Sequence, residues 1–150
     1  MNVVLYKPEI PPNTGNIGRL CVNTGSALHI VGKPAFDMSE KAVRRAGLDY
    51  WPYLQLFSYE NWDEFYGIHE KKRIFLISRF GNKKYYNNKF EKDDFIMFGS
   101  ETSGVPDEIR NCFTDGNVLK IPMKDDFRSI NLSNAVAIVL YEAVRQTGMF

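Results

Sequence analysis

Short apolar runs alternate along the chain with segments of helical period. The runs Val3–Tyr6, Ala27–Val31, Tyr53–Phe57, Arg73–Ser78, Asp94–Phe98 and Val118–Ile121 predict strands. Two of them, Arg73–Ser78 and Asp94–Phe98, are continuously apolar, which is typical of parallel strands buried on both faces. Strands that alternate with helices predict an α/β domain with a mostly parallel sheet flanked by helices.

The intervening segments predict five helices and two irregular stretches. The helices are expected at Ile17–Asn23, Ser39–Ala46, Glu60–Glu70, Pro106–Asn111 and Asn131–Thr147. Ser39 is a suitable N-cap for the second helix and Gly47 a suitable stop. Asn13–Asn16 predicts a turn, Arg79–Lys92 an exposed excursion and Met123–Ile130 a loop.

Length and composition narrow the class of protein. The chain has 150 residues, of which 44% are hydrophobic and 25% charged, so we expect one domain over residues 1–150. The formal net charge is only +1, so any contact with nucleic acid must come from local basic patches. Neither a signal peptide nor an apolar run of about 18 residues is present, which predicts a cytoplasmic protein without a membrane partner.

Three loops rich in glycine or asparagine follow apolar strands. They are Asn13–Arg19, Phe98–Pro106 and Ile121–Asn134. Ligands of open α/β sheets bind beyond the carboxyl ends of the strands, so three such loops favour a ligand site over three incidental turns. Gly99 and Gly104 either let a ligand approach the main chain or simply permit turns.

The sequence lacks the motifs of several common enzyme classes. Gly15-Asn16-Ile17-Gly18 falls short of a dinucleotide fingerprint, and neither a phosphate-binding P-loop nor a nucleophile elbow is present. His29 and His69 lie in different segments and no cysteine–histidine cluster accompanies them, so we predict no metal site. His29, inside a strand, is expected to be a structural residue.

Basic residues offer candidate RNA contacts. Arg19 follows the first loop and is either a solvated surface residue or a phosphate clamp. Arg44 and Arg45 form one cluster. Another contains Arg79, Lys83 and Lys84 beside Tyr85, Tyr86 and Phe90, on which bases could stack. For each cluster taken alone, a solvated surface is the favoured interpretation.

Four long strings resemble the SPOUT superfamily of RNA methyltransferases. The strings are Leu5–Gly25, Arg44–Tyr50, Met97–Pro106 and Ile121–Gln146, and the resemblance extends over essentially the whole chain. The nearest branch comprises short, single-domain enzymes that methylate the ribose 2′-hydroxyl at the tRNA wobble position. The resemblance implies a C-terminal deep trefoil knot, S-adenosylmethionine as cofactor, and a homodimer whose active site takes Arg19 from one subunit and the cofactor from the other.

The resemblance also implies roles for individual residues. The expected cofactor-binding residues are Ile77, Ser78, Gly99, Glu101, Ile121, Met123, Ser129 and Leu132. The expected catalytic residues are Arg19, Ser129 and Asn131. The expected RNA-binding residues are Asn13, Arg19, Arg44, Arg45, Tyr141 and Arg145, the last two being candidates for the dimer face as well.

The implied substrate is the wobble nucleotide, position 34, of leucine tRNAs, a cytidine or a modified uridine. Three alternatives stay open: a ribosomal RNA methyltransferase of the same fold, a non-catalytic RNA-binding relative, and a generic α/β nucleotide-binding domain. Arg19, Glu101, Ser129 and Asn131 are all present, which argues against lost activity. No histidine lies in the three loops, so Arg19 is expected to clamp a phosphate and orient the hydroxyl rather than act as a base.

Overall fold

A computed structural model describes residues 1–124 and 129–149, and the central part of the predicted loop Met123–Ile130 lies outside them. Seven parallel strands form one sheet. Their bounds are β1 Asn2–Tyr6, β2 Ala27–Val31, β3 Leu56–Tyr59, β4 Ile74–Ile77, β5 Lys83–Lys84, β6 Phe95–Phe98 and β7 Val118–Lys120. The predicted parallel α/β sheet is confirmed.

The order of strands in the sheet is β3-β2-β1-β6-β4-β7-β5. The chain therefore builds outward from β1 through β2 to β3, then returns to the other side of β1. There β6 inserts between β1 and β4, and β7 lies beyond β4. The carboxyl ends of β4, β6 and β7 consequently meet at one edge, next to the point where the order reverses.

Within residues 1–124 and 129–149, five α-helices cover the sheet: α1 Pro11–Thr24, α2 Glu40–Arg45, α3 Trp62–His69, α4 Asp107–Arg110 and α5 Leu132–Thr147. Alternate residues of β1 enter two cores. Val3 and Leu5 pack with residues of α1 and α5, whereas Val4 and Tyr6 pack with residues of α3 and α4. Among the described residues, no helix combines the length and the apolar character that crossing a bilayer requires.

The predicted turn at Asn13–Asn16 is wrong, because these residues lie inside α1. The helix begins at Pro11, where the fixed φ of proline suits a first turn. Gly15 and Gly18 then weaken the local helical signal but allow close packing. A Cβ on Gly18 would lie only 3.1 Å from the Trp51 ring, so the absence of a side chain lets residues 48–54 lie against the helix.

Two further predictions need correction. The strand expected at Tyr53–Phe57 begins later, at Leu56, because Trp51–Tyr53 form a turn of 3-10 helix. The excursion expected at Arg79–Lys92 is partly structured: it contributes β5 at the sheet edge, and Phe90 is buried in the core.

A buried polar cluster on the α3 side of the sheet joins the two histidines. His29 is 3% exposed, and its Nδ1 lies 2.9 Å from the Tyr59 hydroxyl, which lies 3.0 Å from His69 Nε2. The other ring nitrogen of His29 lies 3.2 Å from Asn2 Oδ1. The structural role predicted for His29 is thus confirmed. In the described part of the chain, no three histidine, cysteine, aspartate or glutamate residues are grouped closely enough to hold a metal ion.

We expect His29 to make folding sensitive to acid. Burial, followed by the neighbouring His69, lowers the pKa of His29 from 6.5 to about 4. Above pH 6.5 the imidazole is neutral in both states. Between pH 6.5 and 4 the unfolded chain binds a proton that the folded chain does not. The free energy of unfolding therefore decreases as the pH is lowered, by up to about 3 kcal/mol in total.

The measurement is the free energy of unfolding in urea between pH 7.5 and 4 for the parent and for His29→Gln. The variant is expected to be less stable at pH 7.5 but to lose less stability on acidification. Equal losses in the two proteins would show that other groups carry the acid sensitivity.

Candidate active site

A cavity of about 690 Å³ opens where the carboxyl ends of β4, β6 and β7 meet. Its walls are the segments Ile77–Phe80, Gly99–Val105 and Ser129–Leu132, together with Ile121 and Met123. Ile10 and Asn13, at the start of α1, close one side. Parts of the three segments singled out in the sequence therefore meet at one cavity, of a size typical of small-molecule sites: the loop after β6, the segment before α5, and Asn13, which lies in α1.

Hydrogen bonds between side chains tie those three loops together. The carboxylate of Glu101 accepts from Asn13 Nδ2 at 3.0 Å, and Asn13 Oδ1 accepts from Asn131 Nδ2 at 3.0 Å. Asn131 Oδ1 in turn accepts from the backbone N–H groups of Ser133 and Asn134 and so caps α5. One chain of polar contacts thus sets the relative positions of the β6 loop, α1 and α5 around the cavity.

Two glutamates join the β6 loop to the start of α1 in a reciprocal clasp. Glu101 accepts from the backbone N–H groups of Glu9 and Ile10 at 2.8 and 3.1 Å. Glu9 accepts from the backbone N–H and hydroxyl of Thr102. A carboxylate at a helix N-terminus satisfies unpaired N–H groups and complements the helix dipole. The clasp explains why a helix begins here despite a poor local sequence.

Gly99 and Gly104 are needed for the fold of the loop that follows β6. Gly104 has φ +69°, and its N–H and C=O both bond to Ser100, so residues 100–104 form a tight turn. A Cβ on Gly99 would lie 2.4 Å from the carbonyl carbon of Gly104. Gly99 is therefore needed because the turn folds back onto it, which is the turn-permitting alternative of the sequence analysis.

The structure brings one set of the predicted site residues together. Asn13 and Asn131 line the cavity. So do all eight predicted cofactor-binding residues, which are Ile77, Ser78, Gly99, Glu101, Ile121, Met123, Ser129 and Leu132. Asn13 is 4% exposed and both ends of its amide are bonded, so it connects the segments around the cavity; its contact with RNA stays a prediction. Asn131 also acts through its neighbours, as a cap and a link.

The other predicted site residues, which were expected to bind RNA, lie outside this cavity. Arg19, Arg44, Arg45, Tyr141 and Arg145 do not line it. Arg19 is exposed on α1, with its guanidinium 4.8 Å from the centre of the Tyr50 ring. Burial raises the pKa of Tyr50 and Arg19 opposes that rise, so the phenol stays protonated and donates to the carbonyl of Gly15. Tyr50 thereby holds Arg19 against the helix surface.

The remaining predicted RNA-binding residues are exposed. Arg44 and Arg45 end α2, the helix that precedes the segment packed against Gly15 and Gly18. Arg145 makes two hydrogen bonds to the carboxylate of Glu142, at 2.8 and 2.7 Å. Tyr141, one helical turn before it, is exposed on α5.

Sequence reasoning missed a group at the rim of the cavity. Phe80 and Arg110 line it beside Arg79, and both guanidinium groups lie within 5 Å of the Phe80 ring centre. The available signal was a phenylalanine next to an arginine directly after a buried strand. Arg110 could not be added from sequence alone, because it comes from α4.

Comparison with known proteins gives the family. The sequence model of the SpoU rRNA methylase family matches residues 1–141 of this chain. A tRNA (cytidine(34)-2′-O)-methyltransferase of Saccharophagus degradans is 45% identical over 147 residues, covering 98% of this chain and 96% of the relative.

Solved structures agree with that match. One, described as giving insight into 2-OH methylation of C/U34 on tRNA, superposes with a TM-score of 0.88 at 38% identity, over 97% of this chain and 94% of the other. The SpoU methyltransferase AviRb of Streptomyces viridochromogenes, solved with AdoMet, has a TM-score of 0.81 at 26% identity, over 97% of this chain and 60% of AviRb. The resemblance drawn from the sequence is thus confirmed, and the chain belongs to the SpoU methylase family.

Proposed function

We propose that this protein transfers a methyl group from S-adenosylmethionine to the ribose 2′-hydroxyl of nucleotide 34 in tRNA. The observation that carries the proposal is one cavity lined by the loops after β4 and β6, the segment before α5 and the start of α1. A relative that matches 98% of this chain is named as a tRNA (cytidine(34)-2′-O)-methyltransferase. More specifically, the proposed substrate nucleotide is a cytidine or a modified uridine at position 34 of leucine tRNAs.

The residues around the cavity fit an adenosyl cofactor. Ile77, Ile121 and Leu132 offer apolar surface for a purine ring, and the main chain at Gly99 forms part of the same wall. Ser129 adds a hydroxyl at the wall. Bound S-adenosylmethionine supplies an electrophilic methyl group on a sulfonium.

The protein's own contribution to the chemistry is positioning. The 2′-oxygen must lie in line with the methyl group and the leaving sulfur, which is a demand on geometry. Arg19 pairs with an RNA phosphate and orients the hydroxyl, since an arginine is not a base near neutral pH. The hydroxyl proton is shared with a phosphate oxygen, or leaves to solvent late in the reaction as the methyl group is transferred. Ser129 is the candidate for contact with the ribose. Glu101, Asn13 and Asn131 are positioning residues that keep the three loops in register.

This assignment requires two subunits. Arg19 lies outside the cavity of its own chain, so its proposed role is in the site of a partner copy in a homodimer. Ile138 and Tyr141 leave apolar surface exposed on α5, which packs beside α1 in the same layer. A two-fold contact through this layer would bring each Arg19 toward the other subunit.

Three broader features stay predictions: one domain over residues 1–150, a cytoplasmic location, and a C-terminal deep trefoil knot.

The deciding experiment incubates the protein with methyl-labelled S-adenosylmethionine and separate pools of tRNA and ribosomal RNA, followed by nuclease mapping. We expect label at nucleotide 34 of leucine tRNAs, and none when that ribose is already 2′-O-methylated. Label confined to ribosomal RNA would favour the alternative substrate. Binding of both ligands without transfer would favour a non-catalytic relative.

A further inference from the structure

An exposed aromatic ring stands at the rim of the candidate active site. Phe80 is 55% exposed although it follows the buried strand β4. The guanidinium carbon of Arg79 lies 4.7 Å from the ring centre and that of Arg110 lies 4.5 Å from it. A single exposed apolar side chain is common on protein surfaces, but this one lies at the wall of the candidate site beside two cations.

The local backbone presents this ring rigidly. The Ser78 hydroxyl accepts from the backbone N–H of Phe80 at 3.2 Å, and the N–H of Gly81 donates to the Ser78 carbonyl at 3.1 Å. A Cβ on Gly81 would lie 2.5 Å from the carbonyl carbon of Leu119, so the turn is pressed against β7. Phe80 therefore projects from a tight, supported turn, which lowers the entropic cost of binding on it.

The charges around the ring suit a nucleic acid. Arg110 pairs with Asp107 at 2.8 Å, but that carboxylate is largely exposed and so binds only weakly. Bases stack on aromatic rings and guanidinium planes, while arginines pair with the phosphates between them. The protein's net charge of +1 makes such a local group the kind of contact that RNA binding requires here.

We propose that Phe80, with Arg79 and Arg110, is a stacking platform for a base of the tRNA next to the methylated nucleotide. This inference rests on the proposed function, because it assumes that the adjoining cavity is the methyl-transfer site. The platform belongs to the subunit that holds the cofactor, whereas Arg19 would come from the partner. The substrate would thus be held from both subunits.

The test measures equilibrium binding of purified leucine tRNA to the full-length protein without a methyl donor, and separately binding of S-adenosylmethionine. Phe80→Ala is expected to raise the dissociation constant for tRNA about 10-fold, as expected for one lost base stack. The same variant should lower cofactor affinity less than tRNA affinity, because the ring lies at the rim of the cavity, and Phe80→Trp should restore tRNA binding. Ile68→Ala, at a 63% exposed apolar position on α3 away from the cavity, is the matched control and should bind tRNA normally.

The arginines provide a second measurement. The logarithm of the tRNA association constant falls linearly with the logarithm of the salt concentration. If Arg79 and Arg110 contact phosphates, Arg79→Gln and Arg110→Gln should each make that slope less steep by about one. Unchanged tRNA affinity in Phe80→Ala would overturn the inference, and so would a loss of cofactor affinity greater than the loss of tRNA affinity. If the parent protein bound tRNA through Phe80 but transferred no methyl group, the platform would stand and the proposed function would fail.

Discussion

Arg19→Ala is expected to lower turnover at least about 100-fold while leaving the dimer and cofactor binding intact. Arg19 is exposed, lies outside the cavity of its own subunit, and contacts Tyr50 through its guanidinium. Its removal therefore disturbs neither the packed core nor the proposed cofactor walls. The measurements are single-turnover methyl transfer to tRNA, sedimentation, and calorimetric titration with S-adenosylmethionine. Full activity in the variant would reject the role of Arg19.

A mixed dimer tests whether Arg19 acts across the subunit boundary. One chain would carry Arg19→Ala and the other Gly99→Ala, a change expected to disable the cofactor pocket. If the site takes Arg19 from the partner, one of the two sites in the mixed dimer is intact and about half of the parent activity returns. If Arg19 serves its own subunit, both sites are defective and no activity returns.

The stretch Pro11–Thr24 shows where sequence reasoning fails and why. Two prolines, three asparagines and two glycines give it weak helix propensity, so local pattern predicts a turn before Ile17. The helix nevertheless forms because distant groups support it: Glu101 caps its start, and residues 48–54 pack on the side that Gly15 and Gly18 leave bare. Those contacts join positions far apart in the chain, and local pattern carries no information about them.

Other elements could be predicted because their signal is local. β2 matches its predicted bounds, and the N-cap of α2 is the expected Ser39. The three ligand loops could be found because each follows an apolar strand. The order of strands could not, since β6 inserts between two earlier strands. The link from Glu101 through Asn13 to Asn131 escaped prediction for the same reason, although each of the three was singled out as a site residue.

Gly99→Ala is expected to reduce affinity for S-adenosylmethionine at least about 100-fold. The new Cβ would lie 2.4 Å from the carbonyl carbon of Gly104 and 2.7 Å from the nitrogen of Val105, both backbone atoms that cannot rotate away. The turn at residues 100–104 must therefore shift, and with it Glu101, which holds the start of α1. The cavity would lose the mutual placement of its walls as well as the backbone of Gly99 itself.

Gly67→Ala is the matched control, because it adds the same methyl group at a helical position with nothing within 4 Å. It should leave cofactor affinity unchanged and stabilise α3 by about 0.5 to 1 kcal/mol. Calorimetric titration with S-adenosylmethionine and urea unfolding of both variants separate the two effects. Because Gly99 lies at the end of β6 and not within the core, Gly99→Ala should remain folded as judged by far-UV circular dichroism. Parent-like cofactor affinity in that folded variant would mean that the cavity beside β6 is not the cofactor site.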